Sequence, residues 1–124
     1  MVMGIGVDII DISRFSKWVK DPKLILRFFN EEELDFLQNE SKNLIEEKLA
    51  GHFAAKEAFV KTTGLGFYNI TLRDICVKND KYGKPFYEFY DSALKIYNKL
   101  QAKNCHLSIS HDGGKAIAFA VLEG

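Results

Sequence analysis

Gly51-His52-Phe53-Ala54-Ala55-Lys56-Glu57-Ala58-Phe59-Val60-Lys61-Thr62-Thr63-Gly64-Leu65-Gly66 puts a carboxylate and an ammonium four residues apart in an Ala- and Phe-rich run that stops at two glycines. The run reads as the second half of a long helix over about 42–63 that buries Leu44, Ile45, Leu49, Phe53, Ala54 and Val60 and closes at Gly64. On that helix, positions four apart share a face, so Glu57 and Lys61 point the same way. A solvated surface pair has the same spacing. The flanking Phe53, Ala54, Ala55, Ala58 and Phe59 argue for packing instead, and a packed carboxylate needs a cation or several hydrogen bonds. A bound metal ion would meet that need.

Toward the N-terminus, Met3-Gly4-Ile5-Gly6-Val7-Asp8-Ile9-Ile10-Asp11-Ile12 is rich in β-branched residues and reads as an opening strand over 4–12. Asp8 interrupts its apolar run, either facing solvent or capping the next helix, or else serving as a second metal ligand. Gly4 and Gly6 weaken the strand while admitting another backbone or a ligand. Toward the C-terminus, Cys105 to Leu122 reads as a hairpin turning through Asp112-Gly113-Gly114. Leu107 and Ile109 face one side of it and Ser108, Ser110 and His106 the other. His111 stands at the strand end beside the turn, where a polar ring is commonly just solvated.

Between these blocks the pattern gives a helix near 13–20, ended or bent by Asp21-Pro22, and a short apolar segment over 24–29. Asn30 can cap a helix at 31–39, with Glu31, Glu32 and Glu33 well placed in its first turn. Strands near 70–78 and 85–90 flank the turn at 79–83. Asp91 is a candidate cap for a helix at 92–102 with an apolar face of Ala93, Leu94, Ile96, Tyr97 and Leu100. Helices interrupting an otherwise antiparallel sheet make the fold class α+β, a small mostly antiparallel sheet with a long central helix.

Four ordered blocks, Gly4-Ile5-Gly6-Val7-Asp8-Ile9-Ile10-Asp11-Ile12-Ser13-Arg14-Phe15, Gly51 to Gly66, Gly83-Lys84-Pro85 and Ser108-Ile109-Ser110-His111-Asp112, resemble the holo-acyl-carrier-protein synthases, the small family of 4′-phosphopantetheinyl transferases. The resemblance runs from residue 4 to about 122. It implies transfer of phosphopantetheine from coenzyme A to a serine of an apo-acyl-carrier protein, with release of adenosine 3′,5′-bisphosphate, in support of fatty acid biosynthesis. It also implies a homotrimer with active sites between subunits. Since the attacking serine belongs to the partner, the chain needs no nucleophile of its own.

Mg²⁺ commonly takes one or two carboxylates and fills its shell with water and substrate phosphate, and Asp8 and Glu57 supply that number. Lys61 would neutralise charge developing on the phosphate. By resemblance, His111 sits near the nucleotide end of coenzyme A in a neighbouring subunit's site. His52 stands where related sequences often carry Arg, as a phosphate donor charged in part at neutral pH. Lys84 and Pro85 resemble a nucleotide-contact turn, although an ordinary hairpin loop has the same composition. Gly64 and Gly66 would let backbone amides approach a phosphate. Asp35 matches an acidic position proposed to help activate the nucleophile, and a solvated face explains it equally well.

The chain has 124 residues, with 17 basic and 17 acidic side chains. That length suits one domain over 1–124, and the balanced charge argues against bulk nucleic-acid binding. With no signal-like leader and no long apolar segment, a soluble cytoplasmic protein without membrane contact is expected. Cys76 and Cys105 are too few and too far apart for a disulfide framework or a zinc site, and pack as small hydrophobes. Charge is unevenly spread: Arg14, Lys17, Lys20, Lys23 and Arg27 crowd 13–27, and seven acids crowd 31–47. Arg14, Lys17 and Lys20 could line one helix face and attract an acidic carrier protein, or form a merely solvated face. Two other classes stay open, a metal-dependent phosphohydrolase at the same carboxylates and an inactive carrier-binding module. A transferase for peptide-synthesis carriers is a closer rival, though those enzymes are usually twice this length.

Overall fold

Residues 1–65 and 69–124 are described by a computed structural model of the chain. Gly66, and with it the second glycine of the expected phosphate-binding pair, lies outside the described residues.

Strand β1 (Val2–Asp11) pairs antiparallel with β5 (Lys115–Glu123), which pairs antiparallel with β4 (Asn104–Asp112), giving the order β1-β5-β4. The β4–β5 hairpin turns through Gly113 and Gly114, both with positive φ, as a two-residue primed turn requires. A separate antiparallel pair joins β2 (Ile75–Asn79) to β3 (Pro85–Phe89). Helix α2 (Lys42–Thr63) matches its expected span, starting at the Ser41 cap and ending at Gly64 in the left-handed region. It crosses the inner face of the three-stranded sheet, where Ala116, Ala118 and Ala120 of β5 are fully buried. The class is therefore α+β, as the pattern of elements suggested.

Where α2 comes close, the inner face of β1 is small or polar, Gly4, Gly6 and Asp8, and only beyond them does it carry a large apolar residue, the buried Ile10. A side chain on Gly6 would overlap the Ala58 carbonyl oxygen, and one on Gly4 that of Thr62. Apart from Ile10, the large apolar residues of β1 consequently point outward. Ile5, Val7 and Ile9 are exposed, and the register puts Val7 opposite Phe119 and Ile9 opposite Ile117, both also exposed.

Four expected elements differ. Residues 13–20 form two single 3₁₀ turns, Ile12–Phe15 and Trp18–Lys20, not one α-helix. Their apolar residues Ile12, Phe15 and Trp18 recur every third position, the 3₁₀ period, and the Phe15 and Trp18 rings meet tilted, with centroids 4.9 Å apart. Asp21-Pro22 then starts α1 (Pro22–Phe28), with the Asp21 carboxylate accepting from the Leu24 amide at 3.2 Å. The predicted helix at 31–39 is again two 3₁₀ turns, Glu31–Glu33 and Asp35–Leu37. Asn30 does cap the first, but Glu33 turns inward, so no solvated acidic helix forms. Helix α3 (Asp91–Lys99) is capped by Asp74, not Asp91: the Asp74 carboxylate accepts from the Ser92 amide at 3.0 Å. Asp74 ends a further 3₁₀ turn, which delays the start of β2 to residue 75. Of the two thiols, Cys76 is buried and Cys105 half-buried. Among the described residues, no helix is long and apolar enough to cross a membrane.

Candidate active site

The glycine-mediated approach of α2 to β1 brings Asp8 together with Glu57 and Lys61, one helical turn apart. Lys61 Nζ donates to Asp8 Oδ1 at 3.3 Å and to the Val7 carbonyl at 2.8 Å. The Asp8 side chain is 11 % exposed, and its Oδ2 is buried with no hydrogen-bond partner among the described residues. Such an orphaned acceptor is costly unless a cation meets it. Glu57 is half-buried and its carboxyl is pushed up to about 7, first by burial and then by the Asp8 carboxylate, with Arg14 and Lys61 opposing. Two carboxylates that repel one another, one carrying a free lone pair, fit a hard divalent cation. Among the described residues no cluster of three or more His, Cys, Asp or Glu side chains is placed to hold a metal. A cation here would draw its remaining ligands from water and substrate, as Mg²⁺ commonly does.

Arg14 belongs to this neighbourhood. Its guanidinium lies 5.0 Å from the centre of the Phe53 ring and 5.8 Å from that of Phe15, and its charge acts on Glu57. Lys17 and Lys20 are exposed beyond it, three residues apart as the 3₁₀ turns align them. Gly64 follows Lys61 at the helix end with open space where a side chain would be.

A second group forms on another side of α2. His52, Pro85 and His111 share a cavity of about 220 Å³ with Lys48, Gly51 and Gly83, and neither Asp8 nor Glu57 lines it. His111 Nε2 donates to the Glu47 carbonyl at 3.2 Å. Gly51 makes room for it, because a Cβ there would lie 3.0 Å from that nitrogen. The turn carrying Lys84 is built on Asp80, whose Oδ1 accepts from the amides of Tyr82 (2.8 Å) and Lys84 (2.9 Å), and the Lys84 side chain is exposed. Asp35 is exposed on its 3₁₀ turn and lines a larger cleft of about 680 Å³ with His52, Phe36 and Lys78. It is not brought to the carboxylate pair.

Sequence reasoning missed a buried ionic network. The side chains of Glu33 and Lys56 are both 0 % exposed, and Lys56 Nζ donates to Glu33 Oε2 at 2.7 Å. His52 Nδ1 donates to Glu33 Oε1 at 3.0 Å. Burial raises the Glu33 carboxyl, but the His52 hydrogen bond and the Lys56 charge outweigh it and hold the group below the usual glutamate range. Burial also pulls the Lys56 ammonium below the usual lysine range, against the pull of Glu33. The signal was present: a charge in an Ala- and Phe-rich helix demands a partner, and that applies to Lys56 even more than to its neighbour Glu57.

Residues 4–120 match the 4′-phosphopantetheinyl transferase superfamily. The chain is 43 % identical, over the full length of both, to the holo-[acyl-carrier-protein] synthase of Treponema denticola. Its fold is similar to that of the holo-[acyl-carrier-protein] synthase of Neisseria meningitidis, with a TM-score of 0.87, 31 % identity and complete coverage of both chains. It is also similar to a holo-(acyl-carrier-protein) synthase from Bacillus anthracis in complex with CoA (3′,5′-ADP), at a TM-score of 0.83 and 35 % identity, covering 100 % of this chain and 98 % of that one.

Proposed function

Because this chain belongs to the holo-acyl-carrier-protein synthases of the 4′-phosphopantetheinyl transferase superfamily, we propose that it transfers 4′-phosphopantetheine from coenzyme A to a serine of an apo-acyl-carrier protein, with Mg²⁺ held by Asp8 and Glu57, in support of fatty acid biosynthesis. The observation that carries the metal assignment is the buried, unpartnered Asp8 Oδ2 beside Glu57. When bound, the ion supplies positive charge to the pyrophosphate oxygens as negative charge builds on them.

The serine oxygen attacks the β-phosphorus of coenzyme A, and the bond to the α-phosphate oxygen breaks to release adenosine 3′,5′-bisphosphate. Lys61, already held by hydrogen bonds to the Asp8 carboxylate and the Val7 carbonyl, is positioned to neutralise a phosphate oxygen on the same side as the carboxylates. Gly64, open and one turn further on, lets a phosphate approach the end of α2. His52, Lys84, Pro85 and His111 bind the nucleotide portion. Asp35, an exposed carboxylate at the cleft beside them and away from Asp8 and Glu57, is assigned the serine proton and would have to meet the carboxylate pair across a subunit interface.

The two groups of residues lie on different sides of α2, an arrangement suited to a site completed by a second copy of the chain. The exposed apolar face of Ile5, Val7, Ile9, Ile117 and Phe119 offers the surface for that assembly, which we take to be a homotrimer. The basic residues Arg14, Lys17 and Lys20 receive the acidic carrier protein.

Intact mass spectrometry of an apo-carrier protein incubated with this protein, coenzyme A and Mg²⁺ tests the reading. Covalent addition of phosphopantetheine, abolished by chelating the metal, is expected. Hydrolysis of coenzyme A with an unmodified carrier would favour a phosphohydrolase instead.

A further inference from the structure

Glu33 accepts four hydrogen bonds. His52 Nδ1 (3.0 Å) and the Val77 amide (3.4 Å) donate to Oε1, and Lys56 Nζ (2.7 Å) and the Asn30 amide (2.8 Å) donate to Oε2. Lys56 spends its two other donors on the carbonyls of Leu72 and Ile75. One buried carboxylate thus joins the turn preceding Asp35, the helix carrying Glu57 and the strand leading to Lys84 and Pro85. An ordinary buried ion pair needs no imidazole, so the presence of His52 at the rim of this network calls for an account.

We propose that Glu33 is a positioning residue for coenzyme A: it fixes the His52 ring so that Nε2 meets the anionic end of the ligand. This rests on the reading of His52 as a phosphate contact. With Nδ1 engaged by Glu33, Nε2 is the only ring nitrogen left, and among the described residues it has no hydrogen-bond partner. The ring forms one wall of the cavity shared with Pro85 and His111, and Phe36 packs against it edge-on with centroids 5.2 Å apart. Glu33 holds one edge and Phe36 limits the tilt, so the ring is set before the ligand arrives, which reduces the ordering cost of binding. Lys56 has a distinct part. By neutralising Glu33 it prevents an uncompensated carboxylate from facing an incoming phosphate across a single imidazole. A neutral ring that donates Nδ1–H to Glu33 offers only an acceptor at Nε2, whereas the imidazolium offers a second N–H to the phosphate.

Calorimetric titration of the full-length protein with coenzyme A and Mg²⁺, at about pH 6 where an ordinary imidazole is mostly cationic, tests this with three changes. His52→Ala removes the contact. Glu33→Asp keeps the charge but draws the carboxylate back by one methylene, a retreat that the flexible Lys56 can follow and the ring cannot. Glu33→Leu combined with Lys56→Met removes both charges and the acceptor for His52 Nδ1, and provides the comparison should the shorter acid impair folding. His52→Ala and each Glu33 change should weaken coenzyme A about tenfold, and in the His52→Ala background the Glu33 changes should add less than about twofold. The KM for carrier protein should not move. Full additivity, or native affinity in the Glu33 variants when His52→Ala is impaired, would overturn the positioning role and leave the contact standing. Native affinity in His52→Ala would remove both. In the unaltered protein, ¹⁵N spectra of His52 should show Nδ1 protonated throughout, with adenosine 3′,5′-bisphosphate shifting Nε2. A ligand response confined to Nδ1 would also overturn the assignment.

Discussion

Gly6 and Ala58 meet backbone to backbone, and their contact sets the distance between the strand that carries Asp8 and the helix that carries Glu57 and Lys61. Gly6→Ala would press a methyl group onto the Ala58 carbonyl, which backbone cannot yield without the helix moving. Overpacking of this kind commonly costs about 1–3 kcal/mol. Since the displaced element bears the site, turnover should fall further than thermal stability alone explains. Thermal unfolding and transfer assays on the variant, read side by side, would show whether the approach matters to the chemistry.

The carboxylates themselves make a sharper test. Asp8→Asn and Glu57→Gln should each lower turnover by orders of magnitude, because losing a metal ligand removes several kcal/mol of transition-state charge stabilisation. Both variants should fold, since each change relieves repulsion between neighbouring acids. Near-native transfer by either at ordinary Mg²⁺ concentrations would take that residue out of the site.

Proton linkage provides a check independent of turnover. The Glu57 carboxyl titrates near 7 in the folded, metal-free protein, above the ordinary glutamate value of about 4.3, so between these limits the folded chain holds a proton that the unfolded chain has lost. Stability of the metal-free protein should therefore decline as pH rises from about 5 to about 7. Bound Mg²⁺ favours the ionised carboxylate, so it should flatten that decline and expel protons on binding near pH 6. Melting curves across this range, with chelator and with Mg²⁺, together with calorimetry in buffers of different ionisation heat, measure both effects. A flat metal-free profile without proton release would mean that Glu57 is ionised already.

Much of this arrangement could be read from residue patterns, and the exceptions have physical causes. The long helix was legible because Ser41, the apolar run and Gly64 agree on its limits. The carboxylate pair was legible because a charge is conspicuous in an apolar element. The turns at 12–20 and 31–37 were misread as α-helices because short 3₁₀ pieces have no propensity signature of their own, and spacings of three suit either period. Glu33 was hidden among exposed acids. Its burial depends on Lys56 and His52, 23 and 19 residues away in the chain, and no local pattern encodes that pairing. Asp91 looked like a cap because Asp commonly is one, while Asp74 reached the same helix from a neighbouring turn.

Completion of the site by a second subunit can be tested by rescue. Glu57→Gln and His111→Ala proteins should each be impaired alone, yet mixed oligomers would contain some interfaces at which both native residues meet. Partial activity should return after subunit exchange, which native mass spectrometry can verify. Exchange without recovery would place the whole site within one chain, and would require His111 to act through its own helix contact at Glu47 instead.

Carrier recognition is best probed away from Arg14. That guanidinium packs over Phe53 and its charge acts on Glu57, so reversing it would disturb the carboxylate pair as well as any docking face. Lys17 and Lys20 are exposed and lie further along the same 3₁₀ segment. Charges of this kind act mainly on the rate of encounter and are screened over about 8 Å at physiological ionic strength. Lys17→Glu combined with Lys20→Glu should raise the KM for carrier protein several-fold at low salt, with a smaller difference at high salt. Coenzyme A affinity and melting temperature should stay at native values, since neither side chain takes part in a cavity lining or a salt bridge among the described residues. Transfer rates against carrier concentration at two ionic strengths decide the matter, because an unchanged KM and salt response would show that the acidic partner docks on another face.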